Sequence, residues 1–417
     1  MPDKRRVVVT GLGIISSLGN SFSEVISSLS AGKSGIETVQ EWVDIGLEIS
    51  IAGTLKNVDQ KRKQANIANN QLKYASDSAI YCILAAKDAI DSSGLSSSDL
   101  ASSRTGCIVG SGSNSLQAIY EAGQKLYSGQ AKRISPYIVC QSMTSSCSAS
   151  IANIFSIKGR SYSIGSACAT SAHNLGHAYE LIREGVLDTA ITGGGEEVSA
   201  MSTAAFSAMR LALSYHYNDT PHSASRPYDK NRDGFVISGG SGIVILEAYE
   251  KAKSRGAQIL AEVFGFAANS EGDSMILPGA NGDRIAACMS EALDMAGLPA
   301  ERIDYINTHG TATIEGDIAE ILAIKQVFKA QVPALSSTKS MSGHAIGAAG
   351  VNEFIFCIGM LQEQFIAPSI NIDTIDPKFA DVPIITKPTS KPLDMLMTNS
   401  FGFGGTNAVI ILGCCHD

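Results

Sequence analysis

Residues 161–195 read SYSIGSACATSAHNLGHAYELIREGVLDTAITGGG, and the order of elements in this stretch decides the fold. Tyr162 and Ile164 alternate with small polar residues, which predicts a short strand. A run of very small residues follows, from Gly165 to Ser171. Apolar side chains then recur at Ala172, Leu175, Tyr179 and Ile182, the spacing of one helix face. Gly185 closes that helix, and residues 188–192 restart an extended segment. Strand, small-residue elbow, helix and strand make a unit of α/β architecture. Cys168 falls in the elbow, beside the start of the helix. Unpaired N–H groups and the positive end of the helix dipole favour thiolate there, and thiolate is the nucleophilic form. The small neighbours leave the sulfur open to a substrate. The competing reading is packing, since a buried cysteine ordinarily behaves as a small hydrophobe.

Working outward, the same order returns in the second half. Residues 303–307 read as a strand, and the turn Thr308-His309-Gly310-Thr311-Ala312-Thr313 follows. A helix is predicted over 318–328 and a short strand over 334–337, ending in Lys339 and His344. Residues 345–361 form a helix opened by AIGAAG; 396–399 is a strand, 401–407 a glycine turn, and 408–412 the last strand. The first half shows strands over 6–10 and 104–112 and a helix over 72–90. The repeated order predicts an internal duplication, residues 1–255 and 256–412, with a loose tail at 413–417. Alternating strands and helices predict mostly parallel sheets covered by helices. Chemistry in such sheets gathers beyond the strands' C-terminal ends. Cys168, His309, Lys339, His344 and Phe403 all follow predicted strands and are expected to meet.

Composition narrows the class. The 417 residues are 44% hydrophobic and 17% charged, with 40 glycines, which fits a large buried core. Thirty-two Lys and Arg against 40 Asp and Glu give a net charge of −8, which disfavours a general nucleic-acid binder. Nine cysteines without a close-spaced framework point to free thiols and a reducing cytoplasm. No leader-like apolar segment follows the basic N-terminus, and no apolar run is long enough for a transmembrane segment.

Several motif-like features fail on inspection. Gly11-Leu12-Gly13 lacks the third glycine of a dinucleotide fingerprint, because position 16 is serine; a buried strand and turn is the better reading. Asp229, Asn231, Asp233 and Gly234 open like a calcium loop, but the closing glutamate is Gly240. His173 and His177 have i, i+4 spacing without a third ligand nearby, so no metal is expected. What remains is a cysteine and two histidines in small-residue elbows, a set suited to acyl transfer through a thioester. The glycine turn at Phe403 can offer N–H groups to an oxyanion, and the imidazoles can stabilise an enolate or move a proton.

Five segments carry a resemblance: SACATSAH at 166–173, SRPYDKNRDGFVISGGSG at 225–242, NTHGTATIEGD at 307–317, STKSMSGHAIGAAG at 337–350 and NSFGFGGTN at 399–407. Together they resemble the β-ketoacyl-[acyl carrier protein] synthases over nearly the whole chain. GGGEE at 193–197 and HYNDTPHSASRPYD at 216–229 look more like the type I members than type II. The resemblance implies a thiolase-like α/β fold of five layers, α-β-α-β-α, and a homodimer. It implies decarboxylative condensation of acyl and malonyl groups carried on acyl carrier protein, with no cofactor beyond the carrier's phosphopantetheine. By the same resemblance Cys168 is the nucleophile, His309 and His344 stabilise the malonyl enolate, and Lys339 supports them. The N–H groups of Cys168 and Phe403 form the oxyanion hole, Thr311 and Thr313 bind pantetheine, and Glu320 braces the site. Phe401 and Phe403 gate an acyl tunnel lined by Phe206, with Met143 reaching in from the second subunit. Lys73, Lys132 and Arg133 match the carrier-docking region. Asn69 and Asn70 stand where a basic pair is expected, which shifts docking toward Lys61, Arg62 and Lys63. A polyketide or specialised-lipid ketosynthase and an inactive partner subunit are the rival readings.

Overall fold

The computed structural model describes residues 4–210 and 212–416. In the first half the strands of the main sheet are β1 (Val7–Ile15), β2 (Thr105–Gly110), β3 (Ser161–Tyr162), β4 (Thr189–Glu196) and β5 (Gly240–Ala248). In the second they are β6 (Ala261–Ser270), β7 (Tyr305–Asn307), β8 (Ala334–Ser336), β9 (Met395–Gly402) and β10 (Thr406–Gly413). One ten-stranded sheet results, in the order β8-β7-β9-β10-β6-β1-β5-β4-β2-β3. Read from either outer edge inward, the strands of each half follow one sequence: third, second, fourth, fifth, first. The halves join where Val7, Val8 and Val9 pair antiparallel with Val263, Glu262 and Ala261.

The expectation of mostly parallel strands needs correction. In each half β3-β2-β4 and β8-β7-β9 pair in parallel, while one strand, β5 or β10, runs antiparallel to both of its neighbours. The link from β9 to β10 is only residues 403–405, too short for the crossover a parallel pair requires.

Six helices build the layers: α1 (Asp77–Ser93), α2 (Ser146–Ile154), α3 (Thr170–Arg183), α4 (Asp283–Ala296), α5 (Ile314–Phe328) and α6 (Ala349–Glu363). Helices α3 and α6 pack on each other and touch strands of both halves. Helices α1 and α2 cover one outer face, α4 and α5 the other, which gives five layers. The caps are local: Ser76 accepts the Ala79 N–H at 3.3 Å to open α1, and Gly94 ends it at φ 67°. Residues 349–361 of α6 are buried on every side, as a mid-layer helix must be.

Gly11 and Gly13 lie within β1 rather than in a turn after it. A Cβ on Gly13 would stand 2.0 Å from the Ala85 carbonyl oxygen, so these glycines let α1 lie directly on the strand. The Asp229 carboxylate accepts the N–H groups of Asn231, Asp373 and Thr374 at 2.7, 2.8 and 3.0 Å and faces Arg226, which makes it a loop anchor. The C-terminal end is not loose. Gly413 completes β10, the Cys414 N–H donates to the Asp394 carbonyl, Arg6 donates to the His416 carbonyl, and His416 pairs with Asp394. Among the described residues no helix is long and apolar enough to cross a membrane.

Candidate active site

Each central helix is preceded by one 3-10 turn, Ala167–Ala169 before α3 and Ile346–Ala348 before α6. Ala167 and Ile346 enter these turns at φ 48° and 43°. Left-handed backbone at a non-glycine residue costs about 1–3 kcal/mol and persists only where the surroundings enforce it. They do: the Ser166 N–H donates to Thr170 Oγ1 at 2.9 Å, and Asn174 holds both the N–H and the carbonyl of Ile164 at 3.1 Å. Cys168 is the middle residue of the first turn. Two residues before the second turn stands His344, whose N–H donates to the Val236 carbonyl at 2.8 Å and whose carbonyl accepts from Ser238 at 2.9 Å.

His309 follows β7. Its N–H and that of Gly310 donate to the two oxygens of Glu320, each at 2.8 Å, and Asn399 donates to the same carboxylate at 2.9 Å. Glu320 therefore fixes the backbone that presents the ring. The His309 and His344 rings lie edge to face, centroids 5.3 Å apart and planes at 88°. Phe401 and Phe235 pack at 5.5 Å from His309 and 5.1 Å from His344. Cys168, His309, His344, Phe401 and Phe403 line one cavity of about 480 Å³. Thr311 and Thr313, their hydroxyls 3.1 Å apart, and Phe206 line it too. The structure thus brings these residues together at one cavity, from both halves of the chain.

Electrostatics correct one expectation. Burial pushes the Cys168 thiol up to about 12, against the pull of the Lys339 charge and of the N–H groups of Phe403 and Cys168 itself. The cysteine sits two residues ahead of α3, buried at the wall of the cavity, and losing water outweighs the helix dipole. The resting group is a thiol. The backbone N–H groups of Phe403 and Cys168 both act on the sulfur, as the two donors expected of an oxyanion hole would. Burial and the Lys339 charge hold both imidazoles well below the usual histidine range, with His344 adding to the effect on His309. Both rings are neutral, and Nδ1 of each is buried without a hydrogen-bond partner. Lys339 is itself buried and forms an ion pair with Glu353. Burial pushes the Glu353 carboxyl up to about 7 against that pairing.

Other expectations fare differently. Met143 does not line the cavity of its own chain. Lys61 is committed to Asp88 and to the Asn20 carbonyl, because its side chain lies inward with 15% exposure. Arg62 reaches Asn69 at 3.2 Å, Lys73 lies over Tyr74 and Tyr137, and Lys63, Lys132 and Arg133 are exposed. His173 and His177 are spent on separate partners, Ser166 Oγ at 2.8 Å and Tyr162 Oη at 2.9 Å. Sequence reasoning missed Glu353, Phe235 and the mouth residues 276–278. Glu353 carried a signal, being the lone charge, beside Asn352, in an otherwise apolar run from Ala349 to Leu361.

Comparison with known proteins agrees with this geometry. Residues 4–252 match the β-ketoacyl synthase N-terminal domain, and residues 260–373 match the C-terminal domain. The chain is 46% identical over 409 residues to 3-oxoacyl-[acyl-carrier-protein] synthase 1 of Haemophilus influenzae, covering 98% of each. Identity to the protein of the same name from Escherichia coli is 44% over 410 residues, again 98% of each. Among solved structures, a β-ketoacyl synthase from Burkholderia phymatum superposes with a TM-score of 0.92 at 33% identity, over 99% of this chain and 100% of that one. The chain belongs to the β-ketoacyl synthase family.

Proposed function

We propose that this protein elongates acyl chains by decarboxylative condensation of acyl-ACP with malonyl-ACP. The observation that carries the reading is the convergence of one thiol, two backbone N–H groups and two neutral imidazoles on a single cavity. Cys168 attacks the acyl thioester, and the carbonyl oxygen takes negative charge between the N–H groups of Cys168 and Phe403. The bond between the acyl carbon and the pantetheine sulfur breaks, and the thiol proton passes through an imidazole to the departing sulfur. Malonyl-ACP then loses carbon dioxide, and the electron pair of the broken C–C bond moves into an enolate. His309 and His344 stabilise that enolate through N–H groups turned to the cavity. The enolate carbon bonds to the acyl carbon, the bond from that carbon to the Cys168 sulfur breaks, the thiolate takes a proton from solvent, and 3-oxoacyl-ACP is released. Both imidazoles must be neutral for this, and Lys339 helps to keep them so.

Thr311 and Thr313 hold the pantetheine arm, and Phe206, Phe401 and Phe403 wall the acyl chain. No resident cofactor or metal enters the scheme. The acidic carrier docks on Arg62, Lys63, Lys73, Lys132 and Arg133, while Lys61 stays with Asp88. Residues 1–255 supply the nucleophile and 256–412 the histidines. A second copy covers the helix Leu116–Tyr127, where Ile119, Tyr120, Leu126 and Tyr127 are exposed beside Val139. It brings Met143 to the partner's tunnel, and the dimer works in the cytoplasm.

Intact mass after incubation with acyl-ACPs of several lengths tests the reading. The parent gains one acyl group on Cys168, and Cys168→Ala gains none and loses condensation by on the order of 10³-fold or more. His309→Ala and His344→Ala each cut carbon dioxide release from malonyl-ACP by about 10²-fold or more. Near-normal release from either variant removes that ring from the enolate role. Loading restricted to unusual acyl groups would favour a specialised ketosynthase instead.

A further inference from the structure

The duplication makes the partners of the two elbows comparable. At the first, the end of β9 reaches across from the second half. A Cβ on Gly402 would stand 2.8 Å from the Ser166 carbonyl oxygen, and the next residue, Phe403, turns its N–H to the Cys168 sulfur. The counterpart of β9 in the first half is β4, and it ends at Glu196. Glu196 reaches the second elbow, at Gly347, the residue that holds there the place of Cys168.

Glu196 is 1% exposed and does not line the cavity. One carboxylate oxygen accepts the N–H of Gly347 at 3.1 Å and of Gly112 at 2.8 Å. The other accepts the hydroxyls of Ser111 at 3.1 Å and Ser113 at 2.6 Å. Four donors fill the four acceptor positions of a carboxylate. Burial pushes the group up to about 7 against those donors. The glycines it joins lie backbone to backbone: a Cβ on Gly347 would stand 2.2 Å from the Gly112 nitrogen. Gly112 in turn backs onto the first elbow, 3.1 Å from such a Cβ to the carbonyl of Ala167. One side chain thus joins the chain behind Cys168 to the chain that continues from His344.

We propose that Glu196 is a positioning residue, clamping the elbow that carries Cys168 to the elbow that follows His344. The inference rests on the reading of those two residues as reacting groups. Glu196 touches no substrate and acts through the backbones of Gly112 and Gly347. Releasing it moves one reacting group relative to the other and leaves the carrier and pantetheine contacts in place. The loss therefore falls on kcat and spares KM. Glu196→Gln keeps the clamp: its carbonyl accepts the two N–H groups, and its amide donates to the serine hydroxyls, which rotate to receive it. Glu196→Ala leaves two buried N–H groups unpaired.

The test is steady-state condensation by the full-length enzyme on acyl-ACP and malonyl-ACP, below the melting temperature of each variant. A displacement of about 1 Å costs on the order of 100-fold, so Glu196→Ala lowers kcat by about 10- to 100-fold while KM stays within about threefold and Glu196→Gln within about threefold of the parent. A parent-like kcat in Glu196→Ala, a loss confined to KM, or an equal loss in Glu196→Gln overturns the clamp. If Glu196→Ala does not fold, Glu196→Asp replaces it, with the charge kept and the reach shortened by one methylene. A kcat loss at unchanged KM then supports the clamp, and a parent-like kcat overturns it. Acyl loading of the parent separates the two layers of the argument. No acyl group on Cys168 of the parent refutes the reading beneath; a loaded parent with an unaffected Glu196→Ala refutes the clamp alone.

Discussion

The turns at residues 167–169 and 346–348 stand at equivalent places in their halves. Each is a single 3-10 turn entered through a left-handed residue and continued by a helix of the middle layer. At the first, the middle residue is Cys168, and the strand crossing from the other half delivers a backbone N–H to its sulfur. At the second, the middle residue is Gly347, and the crossing strand delivers a carboxylate to its N–H. One frame carries a thiol that lines the cavity. The other has no side chain where Gly112 passes against it, and the residue that lines the cavity stands three places upstream, at His344. Duplication supplied two equal scaffolds, and the site exists because they were used unequally.

The steric half of this contrast gives the largest effect. A methyl on Gly347 would meet backbone, which cannot swing aside as a flexible side chain can. Gly347→Ala should destabilise the protein by about 3 kcal/mol or more, as overpacking does in a tight site. Cys168→Ala, at the matching position, should melt close to the parent. Thermal melts of the two variants check this, and a parent-like melting temperature for Gly347→Ala would show that the second elbow is empty for some other reason.

The charge shared by both elbows gives the next effect. The Lys339 charge draws the Cys168 thiol down and holds His309 and His344 below their usual range. In Lys339→Met both rings regain basicity, and the thiol rises further. Glu353, already pushed up to about 7 by burial, takes a proton in the variant, so no bare charge is stranded in α6. Decarboxylation needs neutral imidazoles, so its acid limb should move to higher pH in the variant, visible in carbon dioxide release from malonyl-ACP between pH 5 and 8. The rings also set a stability trend. Their folded values lie below the unfolded value of 6.5, so the unfolded chain binds protons that the folded chain refuses. Their contribution is present above pH 6.5 and is lost as pH falls below it. An acid limb that stays in place would mean that burial alone keeps the rings neutral.

Much of this was legible in the chain itself. Cys168, His309 and His344 each lie among small residues just past a strand, and the apolar spacing from Ala172 to Ile182 marks α3. The thiol's resting state was not legible: position beside a helix start can be read from spacing, but burial depends on the strand and loop that arrive from residues 402–405. The commitment of Lys61 to Asp88 was hidden for the same reason, as were the antiparallel strands β5 and β10, whose apolar runs look alike in either direction. Glu196 was visible only as part of GGGEE. Its four donors come from residues 111–113 and 347, and no local pattern links them.

The smallest effect sharpens the contrast between the crossing strands. At the first elbow the second half contributes backbone; at the second the first half contributes a side chain. Truncating each should therefore have unequal results. Phe403→Ala keeps the N–H that reaches Cys168, and Gly404 and Gly405, at φ 86° and 72°, hold the turn without help from the ring. What goes is a tilted contact with Phe206 at 6.2 Å, part of the cavity wall. Loading of short acyl chains should stay within about threefold of the parent if the Phe403 N–H is an oxyanion donor, a contribution of about 10²–10³-fold that the variant keeps. Long chains, which depend on the wall, should lose discrimination, and loading rates across a series of acyl-ACPs would show it. A uniform collapse across the series would mean that the ring aims its own N–H, and the first elbow would then rely on a side chain as fully as the second.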